Sequence, residues 1–229
     1  MDVQRARRSR CARRRVSLAL AGVALVAVMT TVVAGPPQAG RNTPAIESFD
    51  RLYAQGQRVN ASIRTLTATF TETTTSSLLV RPLVARGTLA VERPSRVVMH
   101  YTEPDARVVL IDNNRMTMTW PSRQVMDIGA AMGRVQKYFV DGSAADLRRQ
   151  FDIDDRLASD SPGTYQVSMV PKQKRIREAL AKLELWVDRE SFLLASMRMT
   201  FANGDTKTMT FDNVTPNASL PPGIFALGR

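Results

Sequence analysis

The chain carries one histidine, His100, and one cysteine, Cys11. Hydrolytic and acyl-transfer mechanisms lean on a histidine base or an activated thiol. A lone His100 inside an alternating apolar and polar stretch reads as a surface or hydrogen-bonded residue, not a catalyst. Metal chemistry is equally short of ligands, because zinc needs clustered His, Cys or carboxylate groups. Asp152, Asp154 and Asp155 form an acidic cluster. It lacks the glycine and closing glutamate of a calcium loop and reads as a solvated turn. There is no glycine-rich phosphate loop and no serine elbow. Lys172, Lys174, Arg175, Arg177 and Lys182 make a basic run. It is either a solvated hairpin arm or a patch for anionic lipid or an acidic partner. Nucleic acid would call for interleaved aromatics, and none are present. The expectation is therefore no enzyme, no cofactor, no metal and no nucleic-acid partner.

The elements that would position any site are strands. Val97, Met99 and Tyr101 alternate with Val98 and His100. Met116, Met118 and Trp120 alternate with Thr117 and Thr119. Ala195, Met197, Met199 and Phe201 alternate with Ser196, Arg198 and Thr200. Period-two alternation builds a sheet with one apolar and one polar face. The apolar face must be covered by helices, another sheet or a ligand. Nine methionines follow the leader, and their flexible thioethers suit either core filling or a surface that adapts to varied apolar shapes.

Residues 1–34 read as a secretory signal peptide, with seven arginines ahead of an apolar run from Val16 to Val33. The run is also near the lower edge of about 18 residues for a membrane span, so an uncleaved inner-membrane anchor is the alternative. Cys11 precedes the run and would be lost with it. The whole chain has a net charge of +11, but beyond residue 34 only 25 basic and 20 acidic residues remain, a net of +5. That suits attraction to anionic headgroups.

Residues 35–43 read as a linker, and 44–229 as a single domain. Thr43-Pro44 predicts a helix N-terminus, with Ile46, Phe49, Leu52, Tyr53 and Val59 at helical spacing to about residue 59. Strands follow at about 66–72, 87–92, 96–101, 107–112, 115–120 and 123–127. Asp112-Asn113-Asn114 is a turn candidate. Helical spacing returns over 129–151 through Met132, Val135, Gln136 and Phe139, then Leu147 and Phe151, with a capping box from Ser143 to Asp146. Strands resume at about 165–170, 182–188, 193–202 and 205–212. The last two are joined by Asn203-Gly204, a strong hairpin signal. Short connections imply an antiparallel sheet, and one this long must curl or close.

Several stretches resemble the LolA-type periplasmic lipoprotein carriers. They are Leu66-Thr67-Ala68-Thr69-Phe70-Thr71-Glu72, Gly87 to Pro94, Val97 to Pro104, Val170-Pro171-Lys172, Leu183 to Asp188, Asn203-Gly204, and Phe211-Asp212-Asn213-Val214. Their order covers about residues 44–228. The resemblance implies a mainly β, strongly curved, incompletely closed antiparallel half-barrel with a helical lid over an apolar cavity. It implies a periplasmic, monomeric carrier that takes acylated lipoprotein from an inner-membrane exporter to an outer-membrane receptor. The cavity would be lined by Phe70, Leu89, Val91, Val97 and Met99, by Tyr101, Met116, Met118, Trp120 and Leu185, and by Met197, Met199, Phe201, Met209 and Phe211. Arg93 matches the family arginine that holds the lid; a surface arginine at a strand end is the other reading. The competing functions are a periplasmic lipid-binding sensor and a carrier of another lipid for a partner transporter.

Overall fold

The computed structural model describes residues 48–113, 115–121, 125–129, 143–154, 156–157 and 159–226. The leader, the linker and the insert residues Met132, Val135, Gln136 and Phe139 lie outside them.

Helix α1 runs Phe49–Asn60. It starts later than Thr43-Pro44 suggests, because Ser48 is the N-cap, its hydroxyl accepting from the Arg51 amide at 3.4 Å. Six strands follow: β1 (Thr65–Thr75), β2 (Leu83–Glu92), β3 (Arg96–Glu103), β4 (Arg107–Asp112), β5 (Arg115–Thr119) and β6 (Val125–Gly129). Helix α2 (Ala144–Gln150) carries the capping box between Ser143 and Asp146. It ends sooner than the spacing of Leu147 and Phe151 predicts. Phe151 has extended backbone and opens β7 (Phe151–Ile153), which pairs with β8 (Thr164–Pro171). A single helical turn, α3 (Lys174–Arg177), follows β8 and carries part of the basic run. Strands β9 (Leu180–Asp188), β10 (Leu194–Phe201) and β11 (Thr206–Pro216) complete the sheet. Asn113 and Gly204 both take positive φ in the turns where they were expected.

All eleven strands form one antiparallel sheet in the order β6-β5-β4-β3-β2-β1-β11-β10-β9-β8-β7. The first and last strands are partners at its centre, while among the described residues β6 and β7 stand at the edges. Laid flat, eleven strands at ~4.8 Å would span roughly 50 Å. Yet inward residues from β1 to β5 and β7 to β11 share one buried cluster with Phe49, Leu52 and Tyr53 of α1 and Leu147 of α2. A helix of this length reaches only about 18 Å, so the sheet has to curl around it.

Gly87 shows how tightly the strands are set. A Cβ there would run into the backbone carbonyl of His100 and come within 2.9 Å of Phe70 Cζ. The empty position lets the Phe70 and Tyr101 rings meet edge to face at 4.9 Å between centroids.

The opposite face is not uniformly polar, as simple alternation had predicted. Ala90, Val98 and Leu110 form a second buried cluster on the outside of β2, β3 and β4. Val108, Leu220, Ile224 and Phe225 pack against it, so the C-terminal segment covers this patch. The Arg96 guanidinium lies 4.8 Å from the Phe225 ring centroid.

Candidate functional site

The inner face gathers all fifteen residues expected to line a cavity. Fourteen are buried, and Trp120, one residue beyond β5, packs half-buried against them. Met99, Met116, Met118, Met197, Met199 and Met209 are all at or below 2 % exposure, and Met169 joins them. Alternation along paired strands puts them there: Met118 faces Val109, Met199 faces Leu183, and Met197 lies opposite both Leu185 and Met209.

Two contacts hold α1 over this face, one at each end. At its C-terminus, Arg93 Nη1 donates to the Asn60 carbonyl at 3.2 Å. Arg93 follows the end of β2, and its amide donates to the Arg64 carbonyl at 2.9 Å. A cation on the last carbonyl of a helix is favoured by the helix dipole. Burial pushes the Arg93 pKa down, and the neighbouring Arg64 charge adds to that effect. At the other end, Arg148 of α2 forks onto Asp50, with Nη2 at 2.8 Å and Nε at 3.1 Å from Oδ2. Its guanidinium carbon also lies 5.5 Å from the Phe49 ring centroid. Asn60 is 1 % exposed and donates from Nδ2 to the Phe192 carbonyl at 3.5 Å. Its Oδ1 is buried without a hydrogen-bond partner among the described residues.

Sequence reasoning missed a charged corner in the apolar face. Glu72 is 3 % exposed and Lys207 is 6 % exposed. Lys207 Nζ donates to Glu72 Oε1 at 2.8 Å, and the Tyr101 hydroxyl donates to Oε2 at 2.9 Å. Arg107 Nη2 stands 4.0 Å from the same carboxylate, with its guanidinium 3.7 Å from the Tyr101 ring centroid. Burial first, then the Glu72 charge, pushes the Tyr101 hydroxyl pKa far up. Parity along the strands was the available signal. Glu72 shares a face with Phe70 and Ala68, and Lys207 shares one with Met209 and Phe211.

The other sequence candidates lie elsewhere. His100 is half-buried on the outer face, opposite Val108. Asp152 pairs with Lys172 at 3.2 Å, and Asp154 with Arg156 at 2.9 Å. Asp155 lies outside the described residues. The described residues hold no group of three or more metal-ligating side chains.

The profile of the family described as "Outer membrane lipoprotein carrier protein LolA" matches residues 61–227. The chain belongs to the LolA family. It is 24 % identical over 168 residues to an outer-membrane lipoprotein carrier protein of Methylibium petroleiphilum, covering 72 % of this chain and 79 % of that one. Among solved structures, this LolA-family chain is similar to a LolA superfamily protein from Nitrosomonas europaea. That match has a TM-score of 0.42 at 13 % identity over 78 % of this chain and 97 % of the other. It is also similar to a DUF1329 family protein from Desulfovibrio piger, with a TM-score of 0.46 at 10 % identity over 72 % and 91 %.

Proposed function

We propose that this LolA-family chain is a periplasmic, non-enzymatic carrier. It accepts the acyl chains of a lipoprotein from an inner-membrane exporter, holds them against the inner face of the sheet and delivers them to an outer-membrane receptor. The observation that supports this reading best is the methionine-rich inner face itself. Thioether side chains adapt to varied apolar shapes, so the face can exchange contacts with α1 for contacts with acyl chains.

The energetics set the requirement. Each buried methylene is worth about 0.8 kcal/mol, so one chain of about 16 carbons brings on the order of 12 kcal/mol out of a bilayer. The carrier must nearly match that and still let go. Closing α1 back over an empty face supplies the release step, because burial of Phe49, Leu52 and Tyr53 replaces burial of cargo. Arg93 and the Asp50–Arg148 pair are the latches to be undone. Asn60 Oδ1, without a partner among the described residues, favours opening, since an unsatisfied buried acceptor costs about 1–3 kcal/mol. The Glu72–Lys207–Arg107 corner would meet the ester and amide groups at the polar end of the cargo.

Native mass spectrometry of the exported protein, purified without detergent and then solvent-extracted, tests this reading. Co-purified acylated lipoprotein supports it. A clean apo mass, from protein that also fails to release lipoprotein from membranes, overturns it in favour of a sensor. A bound phospholipid moves the assignment to a carrier of another lipid.

A further inference from the structure

The connection between β1 and β2, residues 76–82, has turn-forming Ser76, Ser77 and Pro82 at its ends but an apolar tip. Turns favour Gly, Asn, Asp and Ser. This one carries Leu78, Leu79 and Val80 at its tip, at 89 %, 41 % and 107 % exposure. Leu83 and Val84 continue the apolar surface at 50 % and 37 %. Of the large hydrophobics exposed among the described residues, only Val170 lies outside this hairpin. The hairpin also projects. Strand β2 pairs with β3 only from Arg86 onward, so Leu83 to Ala85 run beyond the last residue of β3. Three residues at ~3.3 Å put the tip roughly 10 Å past that neighbour.

The outer part of the β1–β2 hairpin itself carries charge of one sign only. No acidic residue lies between Glu72 and Glu92, while Arg81 sits in the turn itself. The strand directions bring the β8–β9 connection to the same end of the sheet, where the Ala202 amide donates to the Ala179 carbonyl at 3.2 Å. That connection carries exposed Lys174 and Arg175. Neither these two nor Arg81 forms an ion pair among the described residues. Glu103, Asp105, Glu178 and Asp205 also lie along this rim, and Glu103 is tied to Arg86 at 3.0 Å.

We propose that this end of the sheet docks on an anionic lipid bilayer, with Leu78, Leu79 and Val80 entering the acyl boundary and Arg81, Lys174 and Arg175 resting at headgroup level. A narrow convex tip suits insertion between lipids, and interfacial elements combine apolar residues below with cations above in this way. The inference is independent of whether the inner face carries acyl chains.

The test is a local depth measurement on the full chain, so that residues 1–34 cannot supply the signal. Val80→Trp places a reporter at the tip, and Glu190→Trp places one in the exposed turn at the far end of the sheet. Emission from Trp120 and Trp186 is subtracted using the unsubstituted chain. Brominated phosphatidylcholine vesicles are used with and without an equal share of phosphatidylglycerol. The expected result is quenching of the Val80→Trp signal at least threefold above that of Glu190→Trp, in the anionic vesicles only. Leu78→Ser with Val80→Ser should weaken vesicle binding through the tip at least tenfold. Lys174→Ala with Arg175→Ala should weaken it about thirtyfold at low salt, as two headgroup contacts would. Tip quenching no greater than at Glu190→Trp, with an unchanged circular dichroism spectrum, overturns the proposal and points to a protein partner. Equal quenching by the neutral vesicles overturns the choice of an anionic surface.

Discussion

Two apolar clusters lie back to back on the same strands and are built differently. The inner one draws on ten strands and is rich in methionine. The outer one is Ala90, Val98 and Leu110 under the C-terminal Leu220, Ile224 and Phe225, with no methionine. Small, branched and aromatic groups have few rotamers and specify a single packing; methionine tolerates many. The outer cluster is a fixed seam that fastens the chain end to β2, β3 and β4. The inner face is where a change of partner costs least. Single substitutions can separate these two faces or remove the feature that separates them.

Both faces depend on Gly87, so its substitution gives the largest effect. Gly87→Val forces a side chain onto the His100 carbonyl and into Phe70. The β2–β3 pairing must then shift, with a loss of about 4 kcal/mol or more. Urea unfolding should show either no cooperative transition or one at far lower midpoint. Retention of the parent midpoint would mean that the close approach of β2 to β3 is not a constraint on the fold.

Lys207→Ala acts on the inner face alone. It removes the nearest cation from the buried Glu72 carboxylate and leaves only the Tyr101 hydroxyl and the more distant Arg107. The loss should fall near the low end of the ~3–5 kcal/mol that half-pairs cost. Lys207→Met combined with Glu72→Leu should recover part of that loss, because two buried charges go together while the Tyr101 hydroxyl and Arg107 lose their carboxylate. If the double variant is stable yet binds lipoprotein as well as the parent, the charged corner has no role in holding cargo.

Truncation in one cluster and exchange in the other set the two faces against each other. Leu110→Ala in the outer cluster should cost about 2 kcal/mol, the low end for a leucine truncation, since Leu110 is 9 % exposed. Acyl capture should not change. Met197→Leu with Met199→Leu should do the reverse. Stability should fall by under about 1.5 kcal/mol per site, because volume is nearly conserved, while the range of acyl chains captured narrows. Denaturation midpoints and a fluorescent fatty-acyl probe measure the two quantities side by side. Loss of capture on Leu110→Ala would end the distinction between seam and binding face.

Much of this was legible in period-two spacing. Each side chain expected on the inner face is found against the inner cluster, because β parity is strict over long strands. The outer cluster escaped the same reading. Its signal was continuous rather than alternating apolar runs, Val97-Val98-Met99 and Val108-Val109-Leu110-Ile111, which mark strands covered on both faces. Phe151 was read as helical because it stands four residues after Leu147, and that spacing cannot distinguish one more helical turn from the first residue of a strand. The Glu72–Lys207 contact joins residues 135 positions apart, so pairing register had to be known before it could be named. The hydrogen bond from Arg93 to the Asn60 carbonyl could not be read from the sequence, since nothing local to Arg93-Pro94 announces the end of α1 as its partner.

The smallest effect at neutral pH, and the most selective for the inner face, belongs to Tyr101. Tyr101→Phe removes one hydrogen bond to Glu72 and leaves the Lys207 contact in place, a loss of about 1 kcal/mol. Its signature lies in alkaline solution. The folded Tyr101 pKa is raised above the value near 10 that it has in the unfolded chain. As pH climbs past 10 the unfolded chain releases this proton first and so binds fewer protons than the folded one. Stability from this residue is therefore intact below pH 10 and falls above it, by up to about 1.4 kcal/mol per pH unit. The phenylalanine variant has no proton to lose and should show a correspondingly shallower alkaline decline in its unfolding midpoint. The outer cluster contains no ionisable group, so Leu110→Ala should retain the parent slope. Parallel alkaline slopes for the parent and Tyr101→Phe would mean that the hydroxyl is not buried against Glu72, and the charged corner would then belong to the surface and not to the inner face.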